Sequence, residues 1–141
     1  VKDLERLAAY FESLTPESVR HIGEYYAEDA YFRDPFNEVR GIPGITRVFE
    51  HMFVQVHEPR FKVTDRFRAG GSAFLAWDFT FRPKPGARVI TVRGSSHLRF
   101  DETGKVRFHC DYWDVAGELY EQVPVLGALL RMLRRRLSAT R

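Results

Sequence analysis

The stretch Phe61-Lys62-Val63-Thr64-Asp65-Arg66-Phe67 decides the fold, because there the spacing of apolar residues changes from helical to alternating. Upstream, Leu4, Leu7, Ala8, Phe11 and Leu14 recur at helical spacing and mark a first amphipathic helix. Thr15-Pro16-Glu17 supplies an N-cap, a proline at the first helical position and an acid in the first turn of a second helix ending near Tyr26. Residues 30–34 alternate and predict a short strand closed by Pro35. Gly41-Ile42-Pro43 starts a further helix with Ile45, Val48, Phe49 and Met52 on its apolar face. Downstream of Phe61 the period stays at two, with strands over 73–82, 88–100 and 105–114 separated by Gly70-Gly71, Pro83-Lys84-Pro85-Gly86 and Asp101-Glu102-Thr103-Gly104. Such short turns favour antiparallel neighbours. Helices followed by a long curved antiparallel sheet make an α+β plan, and residues 116–138 add a helical extension with a break near Pro124.

A chain of 141 residues is one domain's worth and buries a real core. No internal repeat or linker divides it, so 1–141 reads as a single domain. Apolar runs such as 123–130 are too short to span a bilayer, and the amphipathic, charged residues 1–14 do not read as a signal peptide. The single cysteine, Cys110, excludes an internal disulfide and fits a reducing, cytoplasmic setting. The net charge of +3 is unevenly placed. Removing Arg131, Arg134, Arg135, Arg136 and Arg141 from the 22 basic residues leaves 17 against 19 acids, a net of −2. The body is therefore mildly acidic and only the tail is basic, which is not the footprint of a nucleic-acid binder. No zinc-site spacing, phosphate loop or Gly-x-Ser-x-Gly elbow occurs, so neither a metal nor another cofactor is expected.

The chemistry of the chain points first to Asp34, within Tyr31-Phe32-Arg33-Asp34-Pro35-Phe36. A carboxylate held among such apolar neighbours loses hydration, which raises its pKa and strengthens it as a base. The competing reading is structural: Asp before Pro commonly opens a turn.

The element order, Ala27-Glu28-Asp29-Ala30 followed by Asp34-Pro35, the helix start at Gly41 through Ile45, and Tyr112-Trp113-Asp114 on the last strand together resemble the nuclear transport factor 2-like superfamily. Within it the chain is similar to the ketosteroid isomerase and SnoaL-like branch. The resemblance implies a cone-shaped pocket between sheet and helices, with Asp34 in the place of the general base and Tyr10 in that of the oxyanion-binding tyrosine. The second oxyanion donor of such isomerases is a protonated aspartate. Here Ser96 stands in its place, a departure that bears against steroid isomerisation itself. The superfamily's epoxide hydrolases resemble the chain differently: Asp111, ahead of Tyr112-Trp113, and Asp78 match two acids of their triad, while Ala76 stands where the arginine belongs.

Strand alternation extends the candidate list. Asp111 shares its face with His109 and Trp113, Ser96 with Gly94 and Leu98, and Asp78 with Ala76 and Thr80. The expected site thus joins catalytic Asp34, Tyr10, Asp111 and His109 to a lining of Asp78, Ser96, Trp113, Ala76, Thr80 and Leu98. Trp77, Phe79 and Phe81 are then expected under the helices or at a subunit contact, and His97 outside. In the tail, Val125, Leu126, Leu129, Leu130, Leu133 and Leu137 form an apolar stripe with Arg131, Arg134 and Arg135 off it. A helix of this kind can lie on an anionic membrane or dock a partner. The simpler expectation is that it closes over the domain or packs across a homodimer, since so leucine-rich a stripe needs cover. The function expected is cofactor-free proton transfer, of isomerase or cyclase type, on a small hydrophobic carbonyl compound. Water activation by Asp111 and Asp78, and a non-catalytic ligand-binding or assembly role, are the alternatives.

Overall fold

The computed structural model of the chain describes residues 2–120 and 124–139. Its elements run α1 (Lys2–Glu12), a 3-10 helix (Ser18–Glu24), β1 (Tyr26–Arg33), β2 (Glu38–Arg40), α2 (Ile42–Gln55), β3 (His57–Ala69), β4 (Ser72–Arg82), β5 (Ile90–Phe100), β6 (Val106–Trp113), α3 (Val115–Glu118) and α4 (Pro124–Leu137). The six strands form one curved, unclosed sheet in the order β2-β1-β6-β5-β4-β3.

The helical spacing of the N-terminus does what it predicts: Leu4, Leu7, Ala8 and Phe11 are buried against the sheet. Thr15 Oγ1 accepts from Ser18 N at 3.0 Å while Ser18 Oγ accepts from Thr15 N at 2.8 Å, a reciprocal cap. This cap leads into a 3-10 turn rather than a full second helix, and β1 begins already at Tyr26. Gly41 opens α2 at φ 93, a left-handed conformation that a side chain would strain.

The alternating residues after Phe61 form the antiparallel run β3–β4–β5–β6. The sheet is nevertheless mixed, correcting the antiparallel expectation, because β1 pairs with β6 in parallel, Phe32 opposite His109. Parallel neighbours need a long crossover. Everything from β2 to β5 provides it. A register shift between Val63 and Asp65 bends β3, and the freed Val63 N–H is met by Glu12 Oε2 of α1 at 2.9 Å.

The concave face of the sheet carries Val63, Ala73, Leu75, Trp77, Phe81, Val92, Leu98 and Val106, all buried. Ile45 and Phe49 of α2 and the α1 stripe complete the core. Each large side chain among these contributes about 1.5–3 kcal/mol by leaving water. Only two buried residues are polar or charged among those described: Ser96 and His109. Among the described residues, no helix is long and apolar enough to cross a membrane.

The C-terminal helix does not close over the domain: Val125, Leu126, Leu129, Met132, Leu133 and Leu137 of α4 are exposed.

Candidate active site

The two buried polar side chains belong to one hydrogen-bonded chain. On β6, His109 Nε2 lies 2.6 Å from Asp111 Oδ1, and His109 Nδ1 lies 2.7 Å from the hydroxyl of Tyr26 at the start of β1. From β5, Ser96 Oγ donates to the same Asp111 oxygen at 2.5 Å, and Trp77 Nε1 on β4 donates to Ser96 Oγ at 2.9 Å. Four strands therefore contribute to a single line: Trp77, Ser96, Asp111, His109, Tyr26.

Its proton arrangement follows from which groups can donate. The indole N–H of Trp77 only donates, so Ser96 Oγ accepts it and directs its own proton toward Asp111. Burial, then the charge of Asp111, pushes the Tyr26 pKa well above its ordinary value, so Tyr26 stays protonated. Its hydroxyl donates to His109 Nδ1, leaving Nε2–H to donate to Asp111 Oδ1. In this arrangement every N–H and O–H of the line has an acceptor, as buried donors require. Asp111 Oδ1 thus receives two donors, and among the described residues none reaches Oδ2.

Gly94 is part of this construction. A Cβ added there would run into the Trp77 ring, so only glycine leaves room for the indole that reaches Ser96.

Two spaces meet at Asp111. Inside, Phe11, Phe49, Phe61, Val63, Trp77, Ser96, His109 and Asp111 surround a cavity of about 20 Å³, the scale of a single water. The cone between sheet and helices is otherwise filled by aromatic rings, Phe11 lying 6.2 Å from Phe49 and 5.8 Å from His109. Outside, an open groove of about 720 Å³ is lined by residues 33–38 and 110–113, which include Asp34, Asp111 and Trp113. Phe36 meets Trp113 edge-on at 5.7 Å and gives this groove an aromatic wall.

The other expected residues are placed differently. Asp34 is half-buried in the groove, not in a dry pocket. Its Oδ1 accepts from the backbone N–H groups of Phe36 and Asn37 at 2.8 and 2.7 Å, and both its oxygens accept from the Asn37 amide at 3.1 Å. It holds the turn between β1 and β2, as short acids ahead of proline do. Tyr10 does not face Asp34: its hydroxyl donates to the Ser18 carbonyl at 2.7 Å and its ring stacks on Tyr25 at 4.0 Å. Burial, with Tyr25 and Glu24 nearby, raises the Tyr10 pKa to about 12.

Asp78, Ala76 and Thr80 lie on the outer face, since Leu75, Trp77 and Phe81 are the buried residues of β4. The bulky apolar set of an alternating strand takes the core side, leaving the acid on the convex side. Asp78 and Asp111 therefore cannot act together on one substrate atom. Ser96, Leu98, His109 and Asp111 lie on the inner face as expected, although Leu98 is core and reaches neither space. His97 lies on the outer face, stacked on Phe74 at 4.6 Å. Tyr26 and Trp77 join the site without being singled out by the sequence pattern. Tyr26 sits where the spacing ends a helix, and Trp77 reads as packing alone.

A curved, unclosed mixed sheet with helices packed against it is the α+β architecture of the NTF2-like, ketosteroid isomerase-like domains. Solved structures agree. A hypothetical protein of ketosteroid isomerase-like fold from Catenulispora acidiphila, in complex with trimethylamine, is 17% identical over 83% of this chain and 88% of its own, with a TM-score of 0.71. A candidate SnoaL-like polyketide cyclase from Shewanella putrefaciens is 19% identical over 88% and 97%, TM-score 0.72. An NTF2-like protein of unknown function from Burkholderia pseudomallei is 14% identical over 83% and 94%, TM-score 0.72. At such identities the likeness is one of fold. The SnoaL-like domain matches residues 7–109, and the chain belongs to that family. Asp111 lies two residues beyond the matched segment. The comparison with curated proteins finds no match.

Proposed function

We propose that the chain is a cofactor-free enzyme of isomerase or cyclase type, in which Asp111 moves a proton on a hydrophobic carbonyl compound held in the outer groove. The observation that carries this reading is the placement of Asp111 between the two spaces, with Oδ1 fixed by Ser96 and His109 and Oδ2 left to a substrate. A base held in one orientation by neighbours that are themselves fixed needs no reorganisation when it reacts. Asp111 Oδ2 takes a proton from the carbon beside the carbonyl. The C–H electron pair moves into the new C=C bond, and the negative charge gathers on the carbonyl oxygen. Arg33, which lines the same groove, supplies positive charge toward that oxygen. Returning the proton to another carbon gives an isomerase. Attack of the carbanion on a second carbonyl carbon, whose π electrons move to its oxygen and take the proton back from Asp111, gives a cyclase.

The substrate class follows from the groove. Its volume suits a ring system of drug size, and the Phe36–Trp113 wall favours a flat apolar face. This assigns the base to Asp111 in place of Asp34, and leaves Tyr10 to the core. The membership of the SnoaL-like family and the fold shared with the candidate polyketide cyclase are consistent with this reaction class. The test is exchange of α-protons for deuterium, followed by NMR, over a panel of cyclic and polycyclic ketones. Wild type and Asp34→Asn should exchange a member of the panel, and Asp111→Asn should lose about 100-fold or more. Exchange that survives Asp111→Asn but fails in Asp34→Asn would return the base to Asp34. Ligand binding without exchange would point to a carrier.

A further inference from the structure

α4 meets the body of the domain with the wrong face for a core helix. Gly127 is its buried residue and Leu130 is partly covered, while the Arg134 guanidinium lies against α3, with Nη2 2.6 Å from where a Cβ on Gly117 would stand. These positions, spaced by three and four, are the inward side. The leucine-rich side is turned away: Val125 and Leu137 are more than four-fifths exposed, and Leu126, Leu129, Met132 and Leu133 lie between them. Six large apolar side chains on one outward stripe exceed the scattered apolar exposure of an ordinary surface.

The charges say what covers that stripe. Pro124–Leu137 contains Arg131, Arg134, Arg135 and Arg136 and no acid, whereas the rest of the chain is net acidic. A second copy laid on the same face would bring the exposed Arg135 and Arg136 of each helix together, and neither helix has a carboxylate to set between them. An anionic surface answers both. We propose that α4 is an interfacial anchor, its leucine face laid into an anionic lipid surface with Arg135 and Arg136 on the headgroups. A helix of this pattern lies in the membrane plane and does not span it. Arg136, near the C-terminal end of the apolar side, can bury its stem among the acyl chains and send its charge out to the headgroups.

The experiment is flotation of the full chain with vesicles of phosphatidylcholine containing about 30% phosphatidylglycerol, against phosphatidylcholine alone, near 0.1 M salt. Binding is expected only to the anionic vesicles and should weaken with salt. Arg135→Gln and Arg136→Gln should each weaken it about fivefold. Leu129→Ser with Leu133→Ser should weaken it at least about tenfold, because burial of apolar area holds the helix down. Circular dichroism on each variant verifies that the domain remains folded. Three outcomes overturn the proposal. The first is no binding to either vesicle. The second is binding that the arginine changes reduce and the leucine changes leave alone, which is surface attraction without insertion. The third is a dimer in light scattering that the leucine variant disperses while vesicles bind nothing, which assigns the face to a second copy.

Discussion

His109 and Asp111, two residues apart on β6, both turn inward, and the 2.6 Å contact between Nε2 and Oδ1 joins the only buried histidine among the described residues to the acid that opens on the groove. Period two places them on one face. Phe32 and Phe11 close over the imidazole, at 4.8 and 5.8 Å between ring centres, so its nitrogens have only Tyr26 and Asp111 to bond among the described residues.

Removing the hydroxyl that faces this ring should strip Nδ1 of its donor without touching the groove. Tyr26→Phe leaves His109 Nδ1 with no donor, a loss of about 1–2 kcal/mol of stability. Nitrogen NMR of His109 is expected to show Nδ1 as an acceptor and Nε2 as protonated in the wild type. In Tyr26→Phe the proton should stay on Nε2, because Asp111 still accepts it, while the Nδ1 resonance moves to that of an acceptor with no donor. An unmoved Nδ1 resonance would mean that Tyr26 does not donate to this ring.

Gly94 and Trp77 make a stability prediction. Gly94→Ala brings a methyl group into the indole and should cost about 1–3 kcal/mol by overpacking. Trp77→Phe should relieve the contact while losing the donor to Ser96. Urea unfolding of the two single variants and the double variant measures the coupling. The double should be less destabilised than the sum of the singles.

Asp34 is expected to act on the turn. Asp34→Ala strips the β1–β2 turn of its acceptor for two backbone N–H groups and should cost about 1 kcal/mol. Asp34→Asn keeps one oxygen in place and should cost less. Thermal denaturation separates the two, and a loss in Asn equal to that in Ala would show that the charge matters more than the geometry.

Stability should fall at the alkaline end. Tyr10, with its pKa raised from 10.0 to about 12, holds its proton more tightly folded than unfolded. Its contribution is complete below pH 10 and is lost as pH rises through about 12, since the unfolded chain releases the proton first. Tyr26 acts in the same direction. Urea midpoints should fall between pH 10 and 12, and less steeply in Tyr10→Phe, which has no proton to release.

Much of the fold is written in the spacing of apolar residues. Leu4 through Phe11, the helix after Gly41 and the alternation from Phe61 to Trp113 define which segments curl and which extend, because 3.6- and 2-residue periods are local properties of the backbone. Ser96 with Leu98, and His109 with Asp111, are legible as pairs sharing a face for the same reason. Alternation does not say which of two faces is covered. Asp78 goes to the convex side because the bulkier set, Leu75, Trp77 and Phe81, takes the covered one. Asp34 illustrates the converse, since its turn chemistry is readable in Asp-Pro-x-Asn while its apolar neighbours suggest a pocket.

The parallel pairing of β1 with β6, the approach of Tyr26 to His109 and the outward leucines of α4 depend on contacts between residues far apart in the chain, which no local period encodes. Local spacing alone is enough for α1, α2, the strands from Phe61 onward and the amphipathic tail, but not for the 3-10 turn, the early start of β1 at Tyr26 or the short β2. Which face becomes the interior is a matter of long-range packing. With that choice comes the carboxylate, Asp111 rather than Asp34 or Asp78, that is wired into a buried line of hydrogen bonds.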